Sequence, residues 1–384
     1  MSAGIPLAWL QLAHEKLRFL AATAGITFSV VLMLMQLGFE DALLSSAGQI
    51  FGHLHCDVAL LSPAYEFILA PKDFTERRLD QALAIDGVKS IASLYLGQGP
   101  LKNPADHSER NLVIVGFRPR AGVFDLPGID DQVELLRDEY AALFDERSRS
   151  EYGPIAQEVR AGRTVVTEVA GRRVDISGLF SLGTSFAVDG TLLVSDENFL
   201  RILPHRKRGI VSIGLIGLKP GFDPIQVRSQ IAAALPKDVL VMTHKELVDK
   251  ELSYWTRNTP VGFVFKLGLI MGLIVGVIIV YQVLYTDVSD HIGEYATLKA
   301  MGYRDRYLFS VVIQESIILS VFGFIPGIAL SQLLYSFAAR ATLLPIHLTA
   351  LRSVVVYALT LFMCIFSGVL AMRRLTHADP AEIF

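Results

Sequence analysis

Four stretches of the chain are nearly unbroken apolar runs: Phe19–Phe39, Val261–Tyr285, Tyr307–Tyr335 and Val354–Met372. Each approaches the about 20 residues that a helix needs to cross a hydrocarbon core. Between the first and second runs the pattern changes to short apolar segments broken by charge and turn residues. Asp57–Leu61 predicts a strand, Asp73–Ala84 an amphipathic helix and Val88–Leu96 a strand. The same order returns in Ile210–Leu218, Asp223–Ala234 and Val239–Met242. Asp223-Pro224 suits a helix start, because Asp caps the first turn and Pro fits it. Each unit is a β-α-β module. Between them, Glu134–Arg149 predicts a charged helix. Thr164–Glu168, Arg173–Leu179 and Thr191–Val194 predict strands separated by glycine turns.

Composition explains the mixture. The 384 residues are 52% hydrophobic and 19% charged, with a mean hydropathy of +0.44. Residues 40–260 hold 55 charges in 221 positions, or 25%, as in soluble domains; the other 163 hold 18, or 11%. A net charge of −3 excludes a nucleic-acid binder with a basic footprint, and the apolar content excludes a disordered chain.

The expected fold is therefore membrane α plus periplasmic α/β: four transmembrane helices with a large two-lobed extracytoplasmic domain inserted between the first and second. The first run is a permanent anchor, since its core is long for a cleaved leader and Glu40-Asp41 follows it. Four spans place both termini on one side. Lys16, Arg18, Lys299, Arg304, Arg306, Arg373 and Arg374 flank that side, and the positive-inside rule makes it cytoplasmic. The expected order is a cytoplasmic segment 1–18, a span 19–39 and a periplasmic domain 40–260 with an inserted lobe at about 118–205. There follow a span 261–285, a cytoplasmic loop 286–306, a span 307–335, a short periplasmic loop 336–353, a span 354–372 and a cytoplasmic tail 373–384. The expected location is the inner (cytoplasmic) membrane.

Small residues recur at four-residue spacing inside the spans: Ala21, Gly25 and Ser29; Gly268, Gly272 and Gly276; Gly323, Gly327 and Ser331. Such stripes let helices approach closely. They predict packing faces, with the first span and the Gly268–Gly276 groove as candidate dimer contacts. Pro326 predicts a kink. Glu315 is the one acid well inside a span. With Gln314 it either hydrogen-bonds neighbouring loops near the inner boundary, which is the preferred reading, or forms a proton or substrate site.

Catalytic patterns are sparse. His53, His55 and Cys56 lie close enough to suggest metal ligation, but no second cluster completes a site, and coincidence beside the membrane is the simpler account. Cys56 and Cys364 are expected on opposite sides of the membrane and unpaired. Gly183-Thr184-Ser185 lacks a nucleophile-elbow context. No lysine follows a glycine, so a phosphate-binding GK[ST] loop is absent. No metal, cofactor or catalytic residue is expected on this chain.

The 286–306 loop carries more information. Val288, Ile292, Tyr295, Leu298 and Met301 fall at helical spacing and make one apolar face. Asp287 and Asp290 stand at its start, Lys299 near its end and Gly302 just beyond, as a helix dipole and cap require. Such a helix either lies on the membrane surface or docks in a partner's groove.

Glu294-Tyr295-Ala296-Thr297-Leu298-Lys299-Ala300-Met301-Gly302-Tyr303, together with Ala378-Asp379-Pro380-Ala381-Glu382 and the span order, resembles the MacB/FtsX superfamily of ABC-transporter permeases. Pro6–Leu12, Met35–Phe39, Leu182–Phe186 and Tyr285–His291 are similar to its DevC branch. The resemblance implies a homodimer working with a separate DevA-like ABC ATPase, which would bind the ATP and Mg. It further implies a DevB-like membrane-fusion adaptor and a TolC-like outer-membrane channel. Asp287, Asp290, Ile292, Glu294, Tyr295, Leu298, Lys299, Met301, Gly302 and Tyr303 would then form the coupling helix. The implied function is ATP-driven export of lipid- or glycolipid-like cargo by motion transmitted to the periplasmic domain. FtsX-like activation of a periplasmic hydrolase and Lol-like lipoprotein release are the alternatives within the superfamily.

Overall fold

A computed structural model describes residues 14–120, 122–293, 297, 301 and 305–376. The chain divides into two compact units. One comprises Met1–Ala42, Val261–Thr342 and Ile346–Phe384; the other comprises Leu43–Pro260 with Leu343–Pro345.

In the first unit, four helices are long and apolar enough to cross a membrane, so the chain is a multi-pass membrane protein. They run Lys16–Ala47, Pro260–Asp290, Asp305–Thr342 and Ala350–Thr376, and are called spans 1 to 4 below. Each outlasts its apolar run, because a helix satisfies its own backbone groups and need not stop where hydrocarbon ends. The small-residue stripes are where span 1 meets its neighbours. A Cβ on Gly272 would lie 3.3 Å from Met33 Cγ, and one on Gly327 only 2.7 Å from Val30 Cγ1. One on Gly276 would lie 2.7 Å from Ser29 Oγ and also strike Met363 on span 4. Gly25 faces Ile279, Gly268 faces Gln36, and Gly323 faces Ile26. Within one chain, then, all of these glycines already have helix partners. Tyr335 on span 3 closes the other end, its hydroxyl donating to the Leu34 carbonyl.

The second unit is built on a nine-stranded sheet. Its strands are β1 (Val58–Leu61), β3 (Val88–Lys102), β4 (Glu109–Phe117), β5 (Ala141–Asp145), β6 (Val165–Val169), β7 (Arg172–Phe180), β8 (Thr191–Ser195), β10 (Ile213–Leu218) and β11 (Leu240–Thr243). They lie in the order β11-β1-β10-β3-β4-β8-β5-β7-β6. A separate ribbon joins β2 (Phe74–Thr75) to β9 (Ile210–Val211). The two β-α-β modules interleave: β10 lies between β1 and β3, and β1 lies between β10 and β11, all antiparallel. This is a split β-α-β, ferredoxin-like arrangement. Its helices Arg77–Leu83 and Pro224–Ala234 bury Leu79, Ala82, Val227 and Ile231 against one face. As expected, the Asp223 carboxylate caps the second, accepting from Ile225 N at 3.3 Å, with Pro224 in the first turn.

The two lobes share β3. Its first half pairs with β10 and its second half with β4. From there β4, β8, β5, β7 and β6 run on until Leu101 pairs with Val169, returning the ladder to β3. Alternation of period two sorts the side chains into two cores. Ile114, Leu192, Val194 and Phe144 fill one face, and Val113, Val115, Leu193 and Leu143 the other.

One expected element is wrong. Glu134–Arg149 is not a helix: Val133–Arg137 is a short 3-10 turn, and Ala141–Asp145 is strand β5 with all five residues buried. The flanking charges masked a four-residue apolar run, Ala141–Phe144, that sheet pairing on both sides makes a strand. Tyr140, at φ +67°, sits at the break.

Gly276→Val should destabilise the membrane unit by about 1–3 kcal/mol through overpacking against Ser29 and Met363. Gly52→Ala, where an added Cβ meets nothing, should be near neutral. Thermal melting of the detergent-solubilised full chain checks both.

Candidate functional site

The best-defined cluster of charged groups in the membrane unit lies where span 2 ends. The helix of span 2 continues through Asp287 to Asp290. These acids therefore form its last turn and do not open a separate helix. Negative charge at a helix C-terminus is unfavourable, and the structure offsets it. Asp290 pairs with Arg18 of span 1, which also holds Glu15 at 2.5 Å. The Asp287 Oδ1 atom lies 3.8 Å from His291 Nδ1, which itself contacts the Asp287 carbonyl at 2.9 Å. Asp287 is 4% exposed, and its Oδ2 has no hydrogen-bond partner.

Glu315 of span 3 is fully buried, and neither carboxyl oxygen is hydrogen-bonded; Gln314 beside it is exposed. Ile292 is half-buried and Met301 is 64% exposed. Glu294, Tyr295, Leu298, Lys299, Gly302 and Tyr303 lie outside the described residues. Asp287, Asp290 and Arg18 thus come together at one end of spans 1 and 2.

The short motifs of the α/β unit have structural roles. His53 Nδ1 lies 2.8 Å from the Asp125 carbonyl. Burial pushes the Cys56 thiol up to about 12, with the Asp57 charge adding to it. Among the described residues no group of three His, Cys, Asp or Glu side chains could hold a metal, and Cys56 and Cys364 are free. The Leu182–Phe186 stretch is pinned by the buried Asp145 carboxylate, which accepts from Leu182 N at 3.0 Å and Gly183 N at 2.9 Å. Ser185 Oγ accepts from Val188 N at 2.9 Å, so it closes a turn.

Residues 266–380, which take in most of span 2, the loop between spans 2 and 3, and all of spans 3 and 4, match the family model described as FtsX-like permease C-terminal. That stretch, under a third of the chain, is similar to FtsX-like permeases. Two Mycobacterium tuberculosis proteins, from strains H37Rv and CDC 1551 / Oshkosh, are each described as an uncharacterized ABC transporter permease. Each is 22% identical to this chain over 241 residues. Those matches span 62% of this chain and 63% of each relative. Among solved structures, the periplasmic region of MacB from Actinobacillus actinomycetemcomitans is similar at a TM-score of 0.39 and 11% identity. It covers 52% of this chain and 94% of that one. The extracellular domain of the transporter YknZ from Gram-positive bacteria is similar at a TM-score of 0.33 and 15% identity, covering 49% and 98%.

A second cluster in this chain escaped the sequence. Glu251, on the helix His244–Ser253, is 1% exposed. It accepts hydrogen bonds from Tyr65 Oη at 3.1 Å and from Ile68 N at 3.2 Å. Phe67 stacks on Tyr254 at 4.2 Å and meets Trp255 edge-on at 5.8 Å. The 65–68 loop is thereby clamped to the helical stem that precedes span 2 in the chain. Nothing in the spacing announces this, since the partners are 183 and 186 residues apart. Asp41 and Arg352, paired at 2.6 Å in the membrane unit, are equally remote.

Burial pushes the Glu251 carboxyl up to about 7, and the bonds from Ile68 and Tyr65 only partly oppose it. Its folded value is raised, so its contribution to stability is complete below the ordinary carboxyl value and is lost as pH rises through about 7. Protection of the Ile68 amide from hydrogen exchange should fall over that window in the full chain. Glu251→Gln should flatten the dependence.

Proposed function

We propose that this permease is the membrane subunit of an ABC exporter, located in the inner membrane with both termini cytoplasmic. The observation that carries the reading is the family match over residues 266–380, which takes in the loop between spans 2 and 3. The 384 residues contain no glycine–lysine pair, so the phosphate-binding loop of the ATPase would lie outside them, on a DevA-like subunit by resemblance. The two similar mycobacterial proteins, described as ABC transporter permeases, support the same assignment.

In this reading, the apolar face of Ile292, Tyr295, Leu298 and Met301 docks in a groove of the ATPase, whereas Val288, in the last turn of span 2, is 2% exposed and stays inside the membrane unit. Closure of the ATPase pair displaces the loop. Spans 2 and 3, which the loop joins, move with it. Span 2 is one helix from Pro260 to Asp290, so a push at one end is delivered to the other. The α/β unit, in the periplasm, would pass the motion to a DevB-like adaptor and a TolC-like channel. The cargo would be lipid- or glycolipid-like, and two copies of the permease would make the working unit. The spans hold few charges with which to line a polar path, which favours transmitted motion over a wide aqueous pore.

Leu298→Ala and Lys299→Glu should each cut permease-stimulated ATP hydrolysis and export by about tenfold, the usual cost of a lost interface anchor, with membrane expression intact. Undiminished export in both would sink the coupling role. Co-purification decides the class of machine: an adaptor supports export, whereas a cell-wall hydrolase or a lipoprotein carrier replaces that reading.

A further inference from the structure

Two buried carboxyl groups in the membrane unit have too few partners. Glu315 has no exposed surface, and both its oxygens lack hydrogen-bond donors. The Oδ2 of Asp287, nearly as buried, also lacks one.

The surroundings offer little relief. The charged groups facing Asp287 are Asp290 on its own helix, His291 just past its end, Arg18 on span 1 and Glu15 just before it. Arg18 is committed to Glu15 and Asp290. On span 3, the Ser316 hydroxyl donates to the Val312 carbonyl at 2.8 Å. On span 4, Ser367 donates to the Val277 carbonyl at 2.9 Å. Gly368 packs near Ser316, Val312 and Leu284, which makes that wall mostly apolar. Among the described residues no cation pairs with Glu315.

A carboxylate in such surroundings cannot be ionised without a large desolvation cost. A proton is the smallest ligand that removes the charge, and it needs no further donors. We infer that Glu315 is an intramembrane proton-binding site, with the proton held on its carboxyl group. Loss of that proton would leave an unpaired negative charge inside span 3. The 286–306 loop joins that span to span 2, so proton occupancy would bias the position of that loop; this last consequence rests on the coupling role proposed above, whereas the site itself does not.

Infrared spectroscopy of the full chain in lipid nanodiscs tests the site without any ATPase. The background is Glu251→Gln, because Glu251 also holds a proton near neutrality. A protonated-carboxyl C=O band should be present at neutral pH. Glu315→Gln should abolish it, and Asp287→Asn should retain it. Both replacements are near-isosteric, and melting of the same samples verifies folding. Persistence of the band in Glu315→Gln, or its absence from the parent, would overturn the inference. In the second case Glu315 is ionised and its charge is met by a basic group. Because the readout uses the isolated permease, its failure is distinct from failure of the transport reading.

Discussion

Close approach of helix backbones is the constraint on which the membrane unit depends. Lipid tails are as apolar as the side chains they contact, so burial of hydrocarbon does not hold spans together as it holds a soluble core. Contact has to come from shape. Span 1 provides it by meeting span 2 at Gly268, Gly272 and Gly276 and span 3 at Gly323 and Gly327, where any Cβ would intrude on its neighbour. Ser29, Val30 and Met33 fill the spaces those glycines leave. The polar atoms follow from this geometry. Arg18 can reach Asp290 only because spans 1 and 2 run this close, and Asp41 can meet Arg352 only because span 4 joins the same bundle.

Electrostatics in the two units is arranged differently. In the α/β unit, buried acids are given donors: Asp145 accepts from backbone amides, and Glu251 from Tyr65 and Ile68. Each pins a loop. In the membrane unit, Glu315 and Asp287 are left short of donors. An isolated buried acid that is not building a turn is costly and has no structural use that its neighbours reveal. That contrast separates scaffolding acids from candidate functional ones.

The spans are legible in the sequence because an apolar run of about twenty residues fits little besides a membrane helix. The small-residue stripes are legible as packing faces, but their partners are not, since spacing along one helix says nothing about which helix meets it. In the α/β unit the two β-α-β modules are visible, whereas their interleaving is not: β10 enters between β1 and β3 from more than a hundred residues away. Strand β5 is hidden because Ala141–Phe144 is short and set among charges. At the candidate site, Asp287 and Asp290 stand out in the loop sequence, but their spacing suggests a helix start when they in fact close one. Nothing in the local pattern marks where span 2 stops. Glu315 is conspicuous, and its want of hydrogen-bond donors is not, because the groups that could have supplied them would come from other helices.

Strand β3 has a mechanical implication. Its 15 residues are hydrogen-bonded to β10 at one end and to β4 at the other, with Leu94 common to both ladders. Two lobes strung on one strand have no slack linker at which to hinge. Torque applied to the ferredoxin-like half is carried along a covalent backbone into the other half, and the pair turns as a single rigid crank.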